Sequence, residues 1–158
     1  MVGRVGSGRR GRVGRAPHQH PELPHYLLHA SSSTQCDAAL ASLDALSGGR
    51  AILGAGIGWL KEEAEAVGTD FSNRGKRTDE YIEAMRVLWR DRIASYDGEH
   101  VSFTNVKCSP HPVREDGIPI HIGGHSKAAA RRAGRLGDGF LPLGGSISQL
   151  GELFKIAQ

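Results

Sequence analysis

The sequence predicts an α/β fold built on parallel strands, and three observations carry that expectation. Short apolar runs without alternation, at residues 51–57, 118–122 and 140–143, read as strands buried on both faces. Segments with apolar residues at three- and four-residue spacing lie between them and read as helices. Glycines followed by a capping residue mark the junctions. This alternation is the pattern of βα units, and by itself it fits an open sheet or a closed barrel equally well.

The elements follow in order. Ala39, Leu40, Leu43 and Leu46 have helical spacing, and Ser47-Gly48-Gly49 stops that helix with glycine available for a left-handed cap. Ala51 to Ile57 is the first strand, and Trp59 to Val67 a short helix that is acidic early. A better helix is expected from Thr78 to Trp89. Thr78 suits an N-cap, Asp79 and Glu80 suit the first turn, and Tyr81, Ile82, Met85, Leu88 and Trp89 form one apolar stripe. Asp97-Gly98 between β-prone runs signals a hairpin over residues 94–104, outside the sheet. Residues 107–117 read as a proline-containing loop. Ile118 to Ile122 is the second strand, Ser126 caps a helix from Lys127 to Leu136, Phe140 to Leu143 is the third strand, and a last helix begins near Ser148.

Composition bounds the function. Of 158 residues, 39% are apolar and 23% charged, enough for one packed domain. No apolar run approaches the roughly 18 residues that cross a bilayer. The basic N-terminus lacks the apolar stretch of a secretory signal. Two cysteines, Cys36 and Cys108, cannot make a disulfide scaffold, so a cytoplasmic protein without membrane partners is expected. Arg4, Arg9, Arg10, Arg12 and Arg15 account for the positive net charge, and the remainder holds 15 basic and 17 acidic residues. Residues 1–34 are expected to be a basic Gly/Arg-rich disordered tail, with 17–35 as loop, and residues 35–158 the folded domain. A nucleic-acid-binding arm is the alternative for the tail, but no aromatic residue is interleaved for base stacking.

Few residues offer chemistry. Gly54-x-Gly56-x-Gly58 after a strand invites a dinucleotide reading, yet the position of the third fingerprint glycine holds Trp59. These glycines serve close approach at a strand end instead. Gly123-Gly124-His125-Ser126 is more informative: glycines ending a strand before a capping serine leave backbone N–H groups free at a helix N-terminus. That is a phosphate site, with Lys127 and Arg131 near it, although a plain βα turn would use the same residues. Cys108-x2-His111 and His121-x3-His125 resemble half a zinc pattern, but His121 lies inside a strand, and no metal is expected. His18, His20, His25 and His29 fit no metal spacing either.

Four segments together resemble one family. L-D-A-L-S-G-G-R-A-I-L-G-A-G-I-G-W (Leu43 to Trp59), F-S-N-R-G-K-R-T-D-E-Y-I-E-A-M-R-V-L-W (Phe71 to Trp89), P-I-H-I-G-G-H-S (Pro119 to Ser126) and R-L-G-D-G-F-L-P (Arg135 to Pro142) are similar, in order, to luciferase-like monooxygenases. The likeness is strongest to their deazaflavin branch, the coenzyme F-420-dependent oxidoreductases. It implies part of a TIM-type (β/α)8 barrel, with the cofactor across the C-terminal strand ends. It further implies F-420, with FMN the alternative, and hydride transfer between the cofactor and a small-molecule substrate. Ile57 and Gly58 would lie beside the cofactor, and Gly123, Gly124, His125 and Ser126 would hold its phosphate. No catalytic side chain carries over.

The resemblance covers about 120 residues and three expected strands, whereas a barrel takes eight. The chain is therefore expected to be a fragment, with weak cofactor binding, negligible turnover and a tendency to self-associate. A remnant or interaction piece without catalysis is the competing expectation, and a homo-oligomer is left open.

Overall fold

The computed structural model describes residues 25–27 and 33–158, with side chains from residue 38 onward. Expectations for the remainder of the tail, including its arginines and His18, His20 and His29, lie outside the described residues. A four-stranded parallel sheet has the order β1-β2-β5-β6, and a separate hairpin pairs β3 with β4. In chain order the elements are β1 (His25–Leu27), α1 (Ser33–Ser47), β2 (Leu53–Gly56), α2 (Lys61–Ala66) and α3 (Arg74–Arg90). The hairpin β3 (Ala94–Asp97) and β4 (Ser102–Val106) follows, then β5 (Ile120–Gly124), α4 (Lys127–Leu136), β6 (Gly139–Pro142) and α5 (Ile147–Ala157).

The three expected strands are neighbours and parallel, and the hairpin stands outside their sheet. Two expectations are corrected. The stretch 17–35 is not all loop: residues 25–27 form β1, which pairs in parallel with β2, and α1 already begins at Ser33. A three-residue strand carries too little alternation to be read from sequence; its partner β2 defines it. The second correction concerns α3, which starts at Arg74, with Asn73 in the N-cap position. Thr78 is therefore not a cap but a buried residue of the second turn.

One cluster forms the core. Leu40 of α1, Leu53 of β2, Ile82, Met85 and Leu88 of α3, and Ile118, Ile120 and Ile122 around β5 are essentially inaccessible. Burying side chains of this size contributes roughly 1.5–3 kcal/mol each. β2 is buried throughout Leu53-Gly54-Ala55, as its unbroken apolar run suggests. β5 differs: Ile120 and Ile122 join the core while His121 and Gly123 are half-buried. Its two faces are therefore distinct, one packed on helices and one turned the other way.

Carboxylates close the N-terminal end of the sheet. Asp44 of α1, 1% exposed, accepts the Ala51 N–H at 3.2 Å and the Val113 N–H at 2.8 Å. Asp138 accepts the Ile120 N–H at 2.8 Å and Arg86 at 2.9 Å, and its own N–H donates to the Ile120 carbonyl at 2.7 Å. The hairpin is latched to α3 by Glu80, whose carboxylate accepts the N–H groups of Glu99, His100 and Val101. Tyr96 donates to Glu83 at 2.8 Å; burial, and then that bond, push its pKa up to about 12.

Candidate functional site

The C-terminal ends of β2 and β5 lie side by side. Gly54 pairs with His121 and Ala55 with Ile122. Continuing that register sets Gly56 beside Gly123, so Ile57-Gly58 and Gly124-His125-Ser126 leave the same end of the sheet. Adjacent strands are about 4.8 Å apart, a span one bound group can bridge. All six residues singled out in the sequence are thus gathered in one place. Ile57, Gly58, Gly123 and Gly124 are half-buried, and His125 and Ser126 are exposed.

The β5–α4 junction has the form of an anion cradle. Ser126 is the N-cap, with extended backbone; its Oγ accepts the Ala129 N–H at 3.1 Å and its carbonyl the Ala130 N–H at 3.0 Å. The amides of Lys127 and Ala128, in the first turn, have no helical carbonyl within reach. Gly124 has φ +148, and a Cβ there would stand 2.7 Å from the Ala129 Cβ, so only glycine lets β5 run this close to α4. Its carbonyl accepts the Leu143 N–H at 3.2 Å, which ties in the end of β6. Lys127 and Arg131 are exposed. The junction can hold a phosphate by backbone N–H groups and helix dipole.

The zinc-like residues are not brought together. Cys108 and His111 precede β5, at the opposite end of that strand from His125. His111 Nδ1 lies 3.1 Å from the Trp89 carbonyl oxygen. His121 packs over Gly139, where a Cβ would meet its ring at 2.7 Å. A different group, Glu80, Glu99 and His100, has ligand-type atoms within 4.8 Å of one another. Its Glu80 is engaged by three hairpin amides, which makes it a structural latch.

Sequence reasoning missed Arg74, Arg77 and Phe71. With Ile57, Gly58, Leu60 and Ala64 they line a narrow cleft at the end of β2. The Arg74 guanidinium stacks 3.8 Å from the Phe71 ring centre and donates to the Phe71 carbonyl at 2.8 Å. Arg77, 7% exposed, donates through Nη1 to the Asp70 carbonyl and to Asn73 Oδ1. The available signal was Phe71-x2-Arg74-x2-Arg77, cations one turn apart.

The profile of luciferase-like monooxygenases matches residues 28–155, most of the chain. The chain belongs to this family. Among relatives of this luciferase-like chain, an F-420-dependent glucose-6-phosphate dehydrogenase of Nocardia farcinica is 34% identical over 116 residues, 71% of this chain and 34% of that protein. An FMNH(2)-dependent dimethylsulfone monooxygenase of Pseudomonas putida is 28% identical over 147 residues, 82% of this chain and 40% of that one. The crystal structure of a monooxygenase from Streptomyces bottropensis superposes with a TM-score of 0.76 at 26% identity, over 85% of this chain and 42% of that one. The parallel sheet is thus part of a TIM-type barrel, with the β3–β4 hairpin as its excursion. The chain spans between about a third and two fifths of the length of these relatives. Among the described residues, no helix is long and apolar enough to cross a membrane.

Proposed function

We propose that this chain is the cofactor-phosphate-binding part of an oxidoreductase that uses F-420 or FMN to transform a small organic substrate. One observation carries the reading: the Gly123–Ser126 junction presents free first-turn amides beside Ile57-Gly58, at the strand ends where barrel enzymes place their chemistry. The donor set fits the group. Both candidate cofactors carry a phosphate, and the tight glycine at 124 keeps the cradle free of a side chain. When bound, the cofactor ring supplies hydride transfer. The protein's part is to bind and orient: Ser126 holds the first turn of α4 in shape, Gly124 permits the close approach, and Ile57 offers an apolar surface to a ring or its side chain.

The test uses purified chain titrated with F-420, FMN and riboflavin, read by cofactor fluorescence. Riboflavin has the ring of FMN but no phosphate. FMN or F-420 should bind at least tenfold more tightly than riboflavin, and Gly124→Val should erase the difference. Equal binding of FMN and riboflavin would remove the phosphate assignment. Assays of cofactor oxidation with and without the remaining barrel strands, supplied as a separate polypeptide, measure what this part does alone; turnover is expected only in the completed barrel.

A further inference from the structure

A cavity opens at the end of β5 opposite the cradle, between the C-terminal end of α3 and the loop 107–115. Its volume of about 820 Å³ falls within the roughly 300–1,000 Å³ of small-molecule sites. The loop that walls it is held in place. The Val113 N–H donates to Asp44 at 2.8 Å, the Cys108 Sγ–H to the Pro110 carbonyl at 3.5 Å, and the Gly117 N–H to the Arg114 carbonyl at 3.0 Å.

Two polar atoms on its lining residues stand unfilled. Trp89, 3% exposed, and His111 both line the cavity, and Trp89 Nε1 and His111 Nε2 are buried without a hydrogen-bond partner among the described residues. The Trp89 carbonyl, 3.1 Å from His111 Nδ1, can only accept, so Nδ1 carries a proton. Nε2 of the neutral ring is then an acceptor, and Trp89 Nε1–H is a donor. Leaving either one buried and unmet is costly.

Charge supplies an independent argument. Arg92, Lys107 and Arg114 line the same cavity, and among the described residues their side chains make no hydrogen bond or ion pair. Arg90 is committed to Asp91, and Glu115 is the one acid on the lining. The C-terminus of α3 attracts cations, which accounts for Arg90 and Arg92 but not for Lys107 and Arg114 on the facing loop. Like charges around a concavity focus a positive potential into it. The geometry points to a binding site for a small phosphorylated molecule here, its phosphate held by Trp89, His111, Lys107 and Arg114. Phosphate oxygens accept from the indole and the cations, and the second proton of a phosphate monoester goes to His111 Nε2, whereas an ionised carboxylate has no proton to give. A water molecule would satisfy the two ring atoms but leave the cations facing one another.

The ¹⁵N-labelled chain is titrated with ribose 5-phosphate, with ribose, and with sodium chloride at matching ionic strength. The signals followed are the Trp89 indole N–H, His111 Nε2 and, for the cradle, the Lys127 and Ala128 amides. The indole of Trp59, 82% exposed, serves as a control. Trp89 and His111 should move together on one saturable curve with ribose 5-phosphate and stay still with ribose. Lys107→Gln and Arg114→Gln, which alter exposed side chains without partners, should each weaken that curve at least tenfold. Equal shifts with ribose or with sodium chloride would overturn the site. So would movement confined to Lys127 and Ala128, which would assign phosphate binding to the cradle alone.

Discussion

The two ends of the parallel sheet are built from opposite chemistry. At the N-terminal end, carboxylates saturate the backbone: Asp44 closes on Ala51 and Val113, and Asp138 on Ile120 and Arg86. At the C-terminal end, hydrogen-bonding capacity stands unfilled in the first turn of α4 and, among the described residues, at Arg74 Nε and Arg77 Nη2. The proposed function rests on this contrast, since barrel enzymes in general keep stability at the N-terminal face and binding at the C-terminal one. A group already satisfied by the protein adds to folding, whereas one left waiting lowers stability until a ligand fills it.

Substitutions at each end test that contrast. Asp44→Ala should be the most damaging, because it leaves the buried Ala51 N–H and the part-buried Val113 N–H without their acceptor. A loss of about 2–4 kcal/mol is expected by urea denaturation, without a direct effect on ligand contacts. Gly124→Ala places a Cβ 2.7 Å from Ala129 at φ +148 and should cost about 1–3 kcal/mol. Unlike Asp44→Ala, it should also weaken FMN binding under conditions where the variant remains folded. If Gly124→Ala bound FMN normally, the C-terminal end would lose its special status.

Asp138→Asn should cost about 1–2 kcal/mol at neutral pH, since the carboxylate is partly exposed. Burial acts to raise the Asp138 pKa, but the Ile120 N–H and Arg86 outweigh it and hold the carboxyl below the usual range. A depressed folded-state pKa gives stability that is present above the unfolded value and lost as pH falls through the folded one. The gap in melting temperature between wild type and Asp138→Asn should therefore narrow below about pH 4. A gap that is constant down to pH 2 would show that charge plays no part. The smallest effect belongs to Ser126→Ala, about 1 kcal/mol for a lost N-cap, with fraying of α4 visible in amide exchange.

The α4 unit was legible almost residue by residue. Ser126 caps it, the helix runs Lys127–Leu136, and Gly137-Asp138-Gly139 leads into β6, because capping and turn chemistry act within a few residues. The start of α3 was not. Thr78, followed by Asp79 and Glu80, had the local features of an N-terminus, yet the helix extends one turn further back and buries Thr78. Asp79 and Glu80 answer tertiary partners instead, Arg132 and Arg135 for one and the hairpin amides for the other. The same displacement puts Arg74 and Arg77 in the helix rather than in the loop before it.

What the sequence determined by itself depends on neighbours along the chain: the identity of β2, β5, β6 and the helix α4, the Asp-Gly hairpin, the glycine-serine junction, and the four ordered segments that mark the family. Only the tertiary structure decided which groups are satisfied and which are left waiting. Asp44 reaches Val113 across 69 residues and Arg86 reaches Asp138 across 52, while Arg77 comes to rest beneath Ile57 and Gly58 with one N–H group unfilled. Periodicity and capping are local and survive in one dimension; the partner of a buried charge is fixed only when distant segments pack.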